Sequence, residues 1–172
     1  MATSLIYFVE GPCEKTFIKS FMFIDGSHFK HGKIEVFNFV NERLSKAKAR
    51  TINKDMTVAL VFDTDVENVD LLEENVKILK EVSQLSDDHI VFIPSICNFE
   101  DELVYSCSKL KNINDLLNTR SVAEFKKKFI NHDSIVSKLN DEGFDFDLIW
   151  SRNPKSPFEK YKNNCHVLKT QK

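Results

Sequence analysis

The sequence predicts an α/β fold: a parallel sheet of about four strands sandwiched by helices, followed by a helical C-terminal extension. Three observations carry this. Short apolar runs alternate with stretches of helical periodicity through about residue 107, the pattern of strands joined by crossover helices. "MTVALVF", residues 56–62, is a continuous apolar run, as expected of a strand covered on both faces. From "NFEDELVYSCSKL" onward the pattern changes to short helical stretches without a further clear strand.

Taken in order, "SLIYFV" ends at Glu10-Gly11-Pro12 and reads as a buried strand followed by a turn. "CEKTFIKSFMFI" puts Phe17, Ile18, Phe21 and Ile24 on one helical face, with Lys15 and Lys19 elsewhere. "GKIEVFNFV" alternates through Ile34, Val36, Asn38 and Val40 and reads as the second strand. The basic stretch after it holds Arg43, Lys46, Lys48, Arg50 and Lys54, either a solvated helix or loop or a phosphate contact. "MTVALVF" is the third strand. Val69, Leu72, Val76, Leu79 and Val82 then mark a helix, and "HIVFIP" is the fourth strand. "SVAEFKKKFI" and "DSIVSKLNDEGF" read as helices, and "FDLIW" as either a short strand or a helix. We expect an α/β core over residues 1–107 and a helical extension over 108–172, packed on the same domain and ending in a basic tail.

With 172 residues the chain fits one domain, and 42% hydrophobic against 29% charged residues excludes a disordered chain. The formal charge of −2 means that affinity for nucleic acid must come from a local basic patch or a bound metal. "MATSLIYFVEGP" carries neither a basic leader nor a membrane-length apolar run, so a cytoplasmic protein without a membrane segment is expected. Cys13, Cys97, Cys107 and Cys165 lack metal-finger spacing and are read as free thiols. The histidines His28, His31, His89, His132 and His166 show no zinc spacing.

Function is written most clearly in the acids. In an open parallel sheet, ligands bind beyond the carboxyl ends of the strands. Glu10 ends the first strand, and Asp63 and Asp65 follow the third at that same edge. Crowded carboxylates repel one another unless a cation neutralises them, and hard oxygen ligands suit Mg²⁺ or Mn²⁺. A phosphate ester would complete the coordination. Gly11 is read as the residue that lets the backbone turn away from the site. The plain alternative is that Asp65 or Asn68 caps the following helix.

"FVEGPCEKTF" and "VFDTD", in this strand and helix order, resemble the TOPRIM domain, and more narrowly the RloB-like and OLD-family nucleases. The resemblance covers about residues 4 to 107. It implies Mg²⁺-dependent phosphodiester chemistry, with Glu10 as metal ligand or acid/base and Asp63 and Asp65 as ligands. A second ion would use Glu14 or Glu100, the latter from "ICNFEDELV" with Asp101 beside it. Members of these groups are often bacterial anti-phage components that cleave DNA or tRNA beside a partner ATPase, and no P-loop occurs here, so any ATPase would be a separate subunit. The glycine that topoisomerases and primases place after DxD is absent from "DTDVENVD". Lys15, Lys19 and Lys109 are candidates for holding substrate, and Lys155, Lys160, Lys162 and Lys169 form a second basic group.

Two other DxD enzymes fit less well. A haloacid-dehalogenase phosphatase requires a threonine where Glu67 stands, and a nucleotide-sugar transferase needs more chain than this. The rival from another class is a catalytically silent TOPRIM-like interaction or regulatory module.

Overall fold

A computed structural model describes residues 4–24 and 28–170. Four parallel strands, β1 (Leu5–Val9), β2 (Lys33–Val36), β3 (Thr57–Asp63) and β4 (Ile90–Ser95), form one sheet in the order β2-β1-β3-β4. The crossovers contain α1 (Pro12–Met22), α2 (Lys46–Ala49) and α3 (Asp70–Ser83). After β4 come α4 (Phe99–Tyr105), α5 (Ile113–Leu116), α6 (Val122–Ile130) and α7 (Ile135–Asp141). The chain is thus α/β with an all-parallel sheet flanked by helices and further helices C-terminal to it, as its apolar patterning predicts.

Strand periodicity divides the apolar residues between two cores. Tyr7, Val9, Ala59 and Val61 face α1, α4, α6 and α7, while Ile6, Phe8, Leu60 and Phe62 face α2 and α3. Both faces are therefore dry, which accounts for the unbroken apolar run of β3.

Two segments depart from the sequence reading. The second strand stops at Val36 because the Asn38 side chain turns the chain, its Oδ1 accepting the backbone N–H groups of Val40 and Asn41 at 3.0 Å each. Residues 146–150 are neither strand nor helix but a run of turns. Some of their carbonyls are satisfied by the Lys169 ammonium, which donates to Phe146 O at 2.8 Å and Ile149 O at 3.0 Å. Lys169 is thereby committed to structure, and Lys160 pairs with Glu73. In the central basic stretch, Arg43 pairs with Glu74 at 2.8 Å and Lys48 with Glu35 at 3.1 Å.

The polar tail is built into the fold. Ile149 and Trp150 lie in the first core, Phe158 and Tyr161 in the second, and Cys165 and Leu168 in the first again. The chain passes the outer edge of β4, where Asn164 N donates to Phe92 O at 2.9 Å, covering backbone that an edge strand would otherwise expose. Glu102 fastens this segment to α4. Fully buried, it accepts Ile96 N at 2.8 Å, Trp150 N at 3.1 Å and the Arg152 guanidinium at 2.7 Å. The guanidinium stacks on Tyr105, 3.9 Å from the ring centre. Among the described residues no helix is long and apolar enough to cross a membrane.

Candidate functional site

The order β2-β1-β3-β4 sends the chain outward from β1 to one side and then, through β3, to the other. In open parallel sheets the loops diverge where the strand order reverses, so the carboxyl edge between β1 and β3 is where a ligand site is expected. Glu10 immediately follows β1 and Asp63 is the last residue of β3. They touch: Glu10 Oε2 accepts the backbone N–H of Asp63 at 3.0 Å.

Two helices bring further acids to the same edge. Glu14 stands in the first turn of α1, where its Oε2 accepts Gly11 N at 3.1 Å, and Glu100 stands in the first turn of α4. Acidic residues suit helix N-termini because the unpaired N–H groups there carry partial positive charge. Glu14, Asp63 and Glu100 are all buried. Asp63 Oδ1 has no hydrogen-bond partner, and Glu100 Oε1 lies 3.3 Å from Lys126 Nζ on α6 without making a hydrogen bond to it.

The electrostatics follow from this crowding. Burial, then the charges of Glu10 and Glu14, push the Asp63 carboxyl up to about 9, against the opposing pull of the Ser95 hydroxyl. Burial, then Glu10 and Glu100, push Glu14 up to about 7. Glu10 is raised by burial and by Asp65, while the Asp63 N–H, Asn38 and Lys126 act the other way. Burial works to lower the Lys126 ammonium, but Glu100 outweighs it and raises the pKa. Burial and the neighbouring Glu14 push the Cys13 thiol up to about 12, so it stays protonated and is no nucleophile.

Of the residues singled out from sequence, Glu10, Glu14, Asp63 and Glu100 therefore share one electrostatic neighbourhood. Asp65 is exposed in the loop after β3, near enough to raise Glu10. Capping does not fall to it, because Asn68 Oδ1 takes the Asp70 N–H at 2.7 Å. Thr64, between the two aspartates, ties their loop to the next: its hydroxyl donates to Ser95 O at 2.8 Å and accepts Cys97 N at 3.0 Å. Asp101 is exposed. Lys15 is exposed on α1, and Lys109 donates to Asp141 O at 2.9 Å. The lysine that meets the acids is Lys126, which the run of three lysines in "EFKKK" did not distinguish. Ser95 was also missed.

Gly11 needs a different explanation from the one its sequence context suggested. Its φ of −146° is extended backbone open to any residue. What it supplies is room, since a Cβ there would lie 3.2 Å from Glu14 Oε2. That oxygen ends a flexible side chain, so Gly11→Ala is expected to cost less than about 1 kcal/mol in urea unfolding. A larger loss would show that Glu14 cannot yield.

The donor set is chemically suited to a hard divalent cation: carboxylate oxygens, two of them, Asp63 Oδ1 and Glu100 Oε1, buried without a hydrogen bond. Among the described residues, however, no three His, Cys, Asp or Glu side chains form a ready-made cage. Mg²⁺ does not require one, because it is commonly held by one or two carboxylates with waters and substrate phosphates supplying the rest. Two larger clefts, about 700 Å³ beside α5, α6 and α7 and about 1030 Å³ beside Phe144 and Lys169, are lined by none of these four acids. No protein-family model matches the chain, and no curated protein or solved structure matches it either.

Proposed function

We propose that the protein is a Mg²⁺- or Mn²⁺-dependent nuclease, hydrolysing phosphodiester bonds in DNA or tRNA. The observation that carries this is the meeting of Glu10, Glu14, Asp63 and Glu100 at the carboxyl edge between β1 and β3 with Asp63 Oδ1 left unpartnered. Crowding that forces carboxyls to retain protons costs stability, and a divalent cation offsets the cost by letting them ionise. Glu10 and Asp63, with Asp65 and Glu14 or Glu100, would hold it. When bound, the cation supplies charge neutralisation at the phosphoryl oxygens.

The residues do the remaining work. Glu10 is fixed by the Asp63 N–H at the carboxyl edge, where its carboxylate would accept a proton from water. Lys126 provides the one positive side chain against these acids among the described residues, placed to meet a phosphate oxygen. Since neither large cleft is lined by the four acids, a polymer lying across the sheet edge suits the site better than an enclosed small molecule. The resemblance to RloB-like and OLD-family proteins adds a setting: a cytoplasmic effector in bacterial anti-phage defence, acting with a separate ATPase subunit.

A second reading, a catalytically silent interaction or regulatory module, is favoured by the lack of a ready-made cage among the described residues. One experiment separates them. Plasmid DNA, single-stranded DNA and total tRNA are incubated with the protein and Mg²⁺ or Mn²⁺, beside Glu10→Gln. Cleavage reduced by about 100-fold or more in the variant is expected. No cleavage, with no cation bound in calorimetry, would leave the silent module; cation bound without cleavage would point to a missing partner subunit.

A further inference from the structure

We propose that the outer edge of β2 pairs with the same edge of a second copy of the chain, antiparallel across a two-fold axis, so that two four-stranded sheets become one. The inference stands apart from the divalent-cation reading of the carboxylate site.

The two edges of the sheet are finished differently. Beyond β4 the C-terminal segment covers the backbone, whereas β2 is paired on one side only, to β1, and nothing among the described residues hydrogen-bonds to its other side. Phe37 N donates to Val9 O at 2.8 Å. By strand alternation Lys33 and Glu35 therefore turn their backbone groups toward β1, and Ile34 and Val36 turn theirs outward. Such an unpaired row is a template for another strand. Apolar surface flanks it. Of the large hydrophobic side chains exposed among the described residues, the two most exposed are Phe23, at 66%, and Val36 itself, at 44%. The Phe23 ring stands edge-on to His31, just ahead of β2.

The charge pattern selects a second copy as the occupant. Lys33 and Glu35 share the sheet face that α2 covers, because register pairs them with Ile6 and Phe8 of the second core. Lysine on an edge strand commonly guards against pairing. A lysine and a glutamate two residues apart are instead self-complementary when the strand meets its own inverse. With Ile34 opposite Ile34 of the second copy, Lys33 stands across from Glu35 of the second copy and Glu35 across from Lys33, two ion pairs related by the axis. Ile34 then exchanges both backbone hydrogen bonds with its counterpart, and Val36 falls opposite Gly32, which has no side chain to clash. The smallest slide that keeps outward groups facing outward groups is two residues, and it sets either Glu35 against Glu35 or Lys33 against Lys33, like charges directly opposite. Within one chain Lys33 reaches Glu35 at 2.5 Å and Lys48 reaches it at 3.1 Å. The Lys33 side chain is 70% exposed, so solvent screens its pair and little is lost when it turns to the second copy. Antiparallel pairing points the carboxyl ends of the two sheets in opposite directions, which leaves both carboxylate sites open.

The full chain is sized by light scattering over a concentration series, beside Lys33→Glu, Glu35→Lys, an equimolar mixture of these two variants, and the double variant Lys33→Glu/Glu35→Lys. We expect the wild type to rise with concentration toward twice the mass of one chain. Each single variant sets like charges across the edge at both pairs and should associate about 10-fold more weakly or worse. The mixture and the double variant restore opposite charges and should recover the wild-type mass, so the test survives if one single variant fails to fold. A wild type that keeps the mass of one chain throughout, or single variants that associate as tightly as the wild type, would overturn the inference. So would a folded double variant that stays at the mass of one chain where the wild type doubles.

Discussion

Asp63→Asn should stabilise the metal-free protein at pH 8, by about 5 °C in Tm, while abolishing Mg²⁺-dependent cleavage. The two effects have opposite signs because one carboxylate serves both. Burial and the charges of Glu10 and Glu14 push Asp63 up to about 9 in the folded chain, whereas an unfolded aspartate titrates near 4, at about 3.9. Between those values the native state binds more protons than the unfolded one, so stability falls as pH rises from about 4 toward about 9. Glu14 adds the same trend up to about 7. Asparagine has no charge to bury and removes the Asp63 share of that slope. If the proposed cation site is right, Mg²⁺ should reverse the trend in the wild type at pH 8 by binding the folded, ionised carboxylates, and should do little for the variant. Thermal melts from pH 5 to 9 with and without Mg²⁺ check both arms. A variant that melts below the wild type at pH 8 without metal would falsify the account of Asp63 as a strained acid.

The largest loss of stability is expected from Arg152→Ala. Glu102 is 0% exposed and would keep only the N–H groups of Ile96 and Trp150. Breaking a buried pair by deleting one partner leaves an uncompensated charge, at a cost of about 3–5 kcal/mol. The Arg152 side chain is 31% exposed, so solvent screens the pair and the lower end applies. We therefore expect a loss of about 3 kcal/mol and a fall of about 10 °C in Tm. Urea unfolding checks this; a change below about 1 kcal/mol would mean that water reaches Glu102 once the guanidinium is gone. Ile96 lies between Ser95 and Cys97 in the loop beside the candidate site, so the same variant should also lower cleavage.

What could be read from the sequence was local, and what could not was long-range. The four strands announced themselves by apolar runs. Glu10 and Asp63 were legible because each ends such a run, and strand order then carries both to one edge. Asn38 is a turn former inside an alternating run, and the alternation masks the turn it makes. Lys126 was not legible, since three adjacent lysines point in different directions on a helix and the partner Glu100 lies in another element. The consecutive acids Glu100, Asp101 and Glu102 diverge in the same way: one faces the site, one faces solvent and one binds Arg152. Nothing in the local sequence tells a caged glutamate from an exposed one when its partner lies 50 residues away.

The double crossing of the C-terminal segment past β4 has a consequence for the order in which the protein comes into being. Phe158 and Tyr161 close one core, and Cys165 and Leu168 close the other. During synthesis the sheet and its early helices emerge first, with both apolar faces still lacking these residues. A domain folds as a unit, so docking of this strap must wait until it has cleared the ribosome. Until then Ser95 lacks its hydrogen bond from the Trp150 indole, and Ile96 lacks a Glu102 fixed by Arg152. A nascent chain, surrounded by ribosomal and transfer RNA, therefore carries the acids of the site without the framework that holds them in place.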